Sequence, residues 1–270
     1  MTNAQNHIFL SALQWCVDIG ADEAWSETAH DRTAFVSPFT AERGAQPQAF
    51  TAGAPRAPVI ASLTGMSEWV QKAEKLAQDS NTLSALREAI STFEGLGIKK
   101  TATQMVFADG LPGAHVMVIG EAPGADEDRQ GLPFVGASGQ LMDKILAAID
   151  LSRTQTDPAK AVYISNILNW RPPGNRTPLD SEIAVSLPFI RRHIELAKPA
   201  LILMCGAVSA RALLGRAESI SRLRGQWHDV MGIPALATYH PSYLLRTPGQ
   251  KKAVWSDMLM FNSKKQDMGL

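Results

Sequence analysis

VMVIGEAPGADEDRQGLPFVGASGQ, residues 116–140, is the stretch on which the reading of the fold turns. It opens with four apolar residues ending at Gly120. A short continuous apolar run reads as a strand buried on both faces, the kind found inside parallel sheets. Beyond it lie glycines at 120, 124, 131, 136 and 139, three consecutive acids (Asp126, Glu127, Asp128) and an apolar Pro133-Phe134-Val135. Glycines let backbone approach a ligand closely and leave N–H groups free to meet it. The loop is not a P-loop, because no Gly-Lys-Ser/Thr ends it. It is not a dinucleotide fingerprint either: the glycine spacing differs, and carboxylates stand where pyrophosphate would lie.

Working outward, further apolar strand candidates fall at residues 161–166, 200–205 and 233–239, with the first at 114–119. Helical patterning lies between and after them, at 139–149, 179–197, 208–214 and 251–261. Alternating strands and helices predict an α/β fold, a three-layer α/β/α sandwich around a four-stranded parallel sheet. Upstream, helical periodicity is seen at 66–78 and 83–93, the second with Asn81 or Thr82 as its cap. Residues 8–19 read as an amphipathic helix, and residues 31–65, with Pro38, Pro47, Pro55 and Pro58, as an Ala/Pro-rich linker. The expected organisation is an N-terminal helical extension in residues 1–30, the linker at 31–65, and a catalytic-sized domain at 66–270.

Composition narrows the class. With 26 basic and 26 acidic residues among 270, the chain carries no net charge, which argues against a general nucleic-acid coat but permits a local basic groove. Two cysteines, Cys16 and Cys205, exclude a disulfide scaffold and cannot alone ligate a metal cluster. No secretory or membrane-spanning pattern is evident, so a cytoplasmic protein is expected.

Two further motifs sit where strands end, which is where ligands bind on parallel sheets. In YISNILNWRPPGNRTP, residues 163–178, Asn166 closes a strand and precedes a turn rich in Arg and Pro. An amide offers a donor and an acceptor together and suits the edge of a base. Arg171 and Arg176 are candidates for phosphate contacts. In ATYHPSYLLR, residues 237–246, His240 follows a strand and precedes Pro241, which disfavours helix at His240. A histidine there can stabilise a developing anion. SRLRGQW, residues 221–227, adds Arg222 and Arg224.

Taken together, GEAPGADEDRQGLPFVGASGQLMD, SNILNWRPPGNRTP and YHPSYLLR resemble the signature segments of the uracil-DNA glycosylase superfamily, and its family 4 branch in particular. The resemblance covers roughly residues 85–260. It implies an enzyme that flips deoxyuridine out of DNA and hydrolyses its N-glycosidic bond, leaving an abasic site. By that likeness Phe134 stacks on the uracil, Asn166 reads its Watson–Crick edge, and His240 stabilises charge on O2. Glu127 is the acid that orients water or steadies the sugar cation, and Gly120, Glu121 and Ala122 line the base, with Glu121 near C5. Leu244 is expected to fill the gap left by the base, and Arg171, Arg176, Arg222, Arg224 and Ser242 to face DNA. The alternative is a non-catalytic binder of uracil-containing or abasic DNA.

The likeness breaks in one respect. Family 4 carries a four-cysteine iron–sulfur cluster, whereas this chain has Trp170 in one ligand position, Ser186 near a second and Leu96 at or near a third. A 4Fe–4S cluster is therefore expected to be absent, no other metal or cofactor is implied, and Trp170 is expected to fill its space. The remaining expectations are a monomer that acts on uracil-containing DNA, has no membrane contact, and meets repair or replication partners through residues 1–65.

Overall fold

The computed structural model describes residues 60–270. The helix expected at residues 8–19 and the linker up to residue 59 lie outside the described residues. A first helix, α1 (Ile60–Asp79), starts six residues before the expected 66, and α2 (Leu83–Thr92) follows with Thr82 as its cap, Oγ1 accepting from the Ala85 N–H at 3.1 Å.

The sheet has six strands rather than four. Its centre matches expectation: β2 (Val116–Gly120), β3 (Val162–Asn166), β4 (Leu201–Cys205) and β6 (Ile233–Thr238) run parallel in the order β3-β2-β4-β6. The two edge strands, β1 (Asp109–Gly110) and β5 (Trp227–Val230), are antiparallel. Neither has an apolar run to betray it. β1 is two residues long, and β5 is half-exposed. β5 joins β6 through Met231 and Gly232, both at positive φ (57° and 83°), the two-residue turn whose twist suits a hairpin. A methionine in the place usually taken by Asn or Asp hides that signal.

Side chains alternate between two apolar layers. Met117, Ile119, Tyr163, Ile202, Met204, Ala235 and Ala237 face α1, α2, α5 (Asp180–Ala197) and α6 (Ala207–Leu214). Val116, Val118, Val162, Ile164, Leu203, Cys205 and Leu236 face α4 (Ala137–Ala147), α8 (Pro241–Arg246) and α9 (Lys251–Asp267). Two short helices interrupt what reads as loop: α3 (Ala125–Gln130), inside the acidic segment, and α7 (Ile220–Leu223). The third motif is also a helix start rather than a loop, with His240 as N-cap and Pro241 in the first turn, where proline is favoured.

β3 and β4 lie on opposite sides of β2, and the connections leaving β2 and β3 cover opposite faces of the sheet. A crevice opens at such a switch point, beyond the strands' C-terminal ends. All three motifs converge there.

Candidate active site

The register places Gly120 opposite Asn166 at the last rung shared by β2 and β3. A Cβ at Gly120 would lie 2.3 Å from Asn166 Oδ1 and 2.5 Å from Phe134 Cζ. Thus the amide and the aromatic ring close in on the one residue that leaves room for both. Across the crevice, Gly206 follows β4 with φ of 97°, its missing Cβ facing the His240 ring. Ala122, Glu127, Phe134, Ser138, Asn166 and His240 line the resulting pocket. The space they enclose is small, about 30 Å³. The rings of Phe134 and His240 stack on each other, 5.5 Å between centroids and 28° between planes.

Each polar group is poised differently. Asn166 is 2% exposed and lines the pocket, and among the described residues its side-chain amide makes no hydrogen bond, so both its donor and its acceptor are available there. His240 Nδ1 accepts from the Ser242 backbone N–H at 3.2 Å and lies 2.8 Å from Ser242 Oγ. A backbone N–H can only donate, so the neutral ring carries its proton on Nε2. Burial, helped by Arg246 and opposed by the Glu127 carboxylate, lowers His240 to about 4. At neutral pH it is an uncharged Nε2–H donor. Burial raises the Glu121 carboxyl above its usual range.

The three consecutive acids have separate partners. Asp126 pairs with Arg129. Asp128, 3% exposed, accepts from the Thr103 and Gln104 N–H groups at 2.8 and 3.2 Å. Glu127, 8% exposed, accepts from the N–H groups of Val135 and Gly136, both at 2.9 Å, and of Gly124 at 3.1 Å. Its carboxylate thus ties together both ends of the loop that lines the pocket.

Several expected DNA contacts are placed elsewhere. Leu244 is 1% exposed and packs into the core beneath α8, because the helix that begins at Pro241 turns it inward; Leu245, 47% exposed, is the apolar residue at the surface. Arg224 is directed inward, donating to Asp257 at 2.6 and 3.1 Å and to the Ala253 carbonyl. Arg176 is held by Glu182 at 2.6 and 2.9 Å, and the Ser242 hydroxyl is engaged by His240. Arg222 is exposed, and Arg171, partly exposed, bonds Asn175 at 2.7 Å. Ser138, which lines the pocket, was missed by the sequence reading, although it lies within the quoted glycine-rich segment.

The residues in the cluster positions do not fit thiolate-bound iron. Trp170, 8% exposed, packs in one apolar cluster with Phe93, Leu96, Ile98, Val185 and Phe189. Lys99 Nζ lies 5.9 Å from the Trp170 ring centroid, and the buried Ser186 hydroxyl has no partner among the described residues. Cys205 is buried within β4, and among the described residues no group of three or more His, Cys, Asp or Glu could hold a metal. Nor is any described helix long and apolar enough to cross a membrane.

Parallel strand ends that bring a glycine-rich loop, an asparagine and a neutral histidine around one pocket mark an enzyme of the α/β class. Residues 107–259 match the model of the uracil DNA glycosylase superfamily, and the chain belongs to that family. It is 35% identical over 187 residues to a type-4 uracil-DNA glycosylase of Pyrobaculum aerophilum, covering 66% of this chain and 92% of that protein. A type-4 uracil-DNA glycosylase of Sulfurisphaera tokodaii is 32% identical over 186 residues (66% and 82%), and one of Thermotoga maritima 36% over 146 residues (53% and 73%).

Proposed function

We propose that the protein excises uracil from DNA by hydrolysing the N-glycosidic bond of a flipped deoxyuridine, leaving an abasic site. One observation carries the reading. A Phe134 ring from the loop after α3, an Asn166 amide at the end of β3 and a neutral His240 Nε2–H donor beyond β6 converge on one pocket.

The chemistry follows from those groups. Phe134 offers the uracil a face to stack on. Asn166 meets its Watson–Crick edge with a donor and an acceptor, a pattern that cytosine reverses. As the bond breaks, negative charge grows on the base, and His240 Nε2–H donates to O2. A preorganised donor of this kind lowers the barrier by about 3–4 kcal/mol. The sugar becomes cationic, and the Glu127 carboxylate, fixed by its three N–H partners, opposes that charge and positions water. Glu121 lies beside the base and disfavours thymine. Leu245 rather than Leu244 fills the stack, being the exposed leucine. Arg171 and Arg222 meet phosphates. Residues 1–65 recruit repair partners, and the enzyme acts as a monomer without an iron–sulfur cluster.

The test is an oligonucleotide bearing one deoxyuridine, incubated with chelator and scored for alkali-labile breaks, beside His240→Ala. Breaks that fall roughly 100- to 1,000-fold in the variant support the reading. Uracil-dependent retention of DNA without breaks makes the protein a binder instead.

A further inference from the structure

Arg153 lies outside all three motifs, beyond the C-terminus of α4. Its side chain is 12% exposed, and its guanidinium meets four residues on three segments. Nη1 donates to Asp109 Oδ2 at 2.9 Å and to the Pro133 carbonyl at 2.8 Å. Nη2 donates to the Phe134 carbonyl at 2.8 Å, and Nε to Asp143 Oδ1 at 2.9 Å. The two carbonyls belong to the segment that presents the aromatic ring. Phe134 itself has φ of 53°, a left-handed backbone that a bulky side chain adopts only when its surroundings impose it. From the other side Gly139 presses on it, since a Cβ there would lie 1.9 Å from the Phe134 carbonyl oxygen.

We infer that Arg153 is a positioning residue for base recognition: its planar fork holds the Pro133 and Phe134 carbonyls and so keeps the Phe134 ring at the angle a flipped base stacks on. The inference rests on the proposed stacking role of Phe134. Asp109 from edge strand β1 and Asp143 from α4 hold the guanidinium in turn. A guanidinium is suited to this because its five donors have fixed directions, so it can serve two carboxylates and two carbonyls together. Lysine offers the same charge without the fork.

The experiment compares wild type, Phe134→Ala, Arg153→Met and the double variant. The readouts are cleavage of a deoxyuridine oligonucleotide, inhibition by free uracil, and near-UV circular dichroism for the fold. Arg153→Met is expected to weaken uracil inhibition roughly tenfold, within the range of stacking contributions, and to cost nothing further in the Phe134→Ala background. Losses that multiply in the double variant overturn the inference, as does unchanged uracil inhibition in Arg153→Met. Should Arg153→Met fail to fold, Arg153→Lys keeps a cation between the two aspartates. It is expected to show the same loss of uracil inhibition, and wild-type inhibition there overturns the inference. Unchanged uracil inhibition in Phe134→Ala would instead remove the stacking reading itself.

Discussion

Ser242 holds His240 twice, its backbone N–H 3.2 Å and its hydroxyl 2.8 Å from Nδ1. The backbone bond alone sets the tautomer, so the hydroxyl refines the ring's orientation. Ser242→Ala is expected to lower kcat roughly 3- to 10-fold, the worth of about one hydrogen bond, with KM little changed. Steady-state kinetics on a deoxyuridine oligonucleotide would check it. A loss as large as that of His240→Ala would mean that the hydroxyl, not the N–H, fixes the tautomer.

Gly120→Ala tests the convergence of the pocket directly. The added methyl would overlap Asn166 Oδ1 and the Phe134 ring at 2.3 and 2.5 Å, so one of them must shift. A displacement of about 1 Å in a catalytic geometry costs on the order of 100-fold in rate. Single-turnover cleavage should fall by that much. Near-wild-type cleavage would show that neither group needs its present place.

Glu127→Gln replaces an acceptor-only carboxylate that meets three N–H groups with an amide that presents donors to some of them. The variant should lose about 2–4 kcal/mol of stability, because hydrogen bonds to charged groups are strong and a buried conflict adds to the loss. Chemical denaturation measures it. A variant as stable as wild type, yet inactive, would leave Glu127 a purely chemical role.

Acid should destabilise the protein through two histidines. Burial lowers His193 to about 3, where Tyr163 Oη meets Nε2 at 2.9 Å, and His240 to about 4. Both start from an ordinary value of 6.5, so below it the unfolded chain takes up protons that the folded protein refuses. Their contribution is complete above about pH 6.5 and is lost as pH falls toward 4 and then 3. In denaturation curves from pH 7 to pH 4, His193→Gln should be less stable throughout but show a shallower decline. A slope equal to wild type would exclude His193 as a source.

Leu244 and Leu245 should separate packing from DNA contact. Leu244→Ala opens the core beneath α8 and is expected to cost about 2–5 kcal/mol. Leu245→Ala should leave stability unchanged while lowering excision from duplex DNA more than from single strands. Equal losses on both substrates would rule Leu245 out as the wedge.

The parallel core was legible because Val116, Ile164, Leu203 and Leu236 belong to short runs buried on both faces, and such runs admit few other readings. Gly120 and Asn166 end two of those runs, His240 stands two residues beyond a third, and Phe134 lies in the glycine-rich segment that follows the first, so their meeting place followed from the fold class. The hairpin at Met231-Gly232 was hidden because its positive-φ pair lacks the usual Asn or Asp. Leu244 and Leu245 were indistinguishable as neighbours until the helix starting at Pro241 turned one inward and the other outward. Arg153 could not be found by pattern at all. Its four partners come from segments that only the folded chain brings together.

β6 lies inside the sheet, between β4 and β5, and His240 stands two residues beyond its end. As the chain emerges from the ribosome, Gly120 and Asn166 can pair long before the histidine has been synthesised. In order of synthesis, the glycine-rich loop and Asn166 therefore precede the histidine that they meet in the pocket. The pocket is complete only when the final inner strand, which leads into His240, pairs with β4.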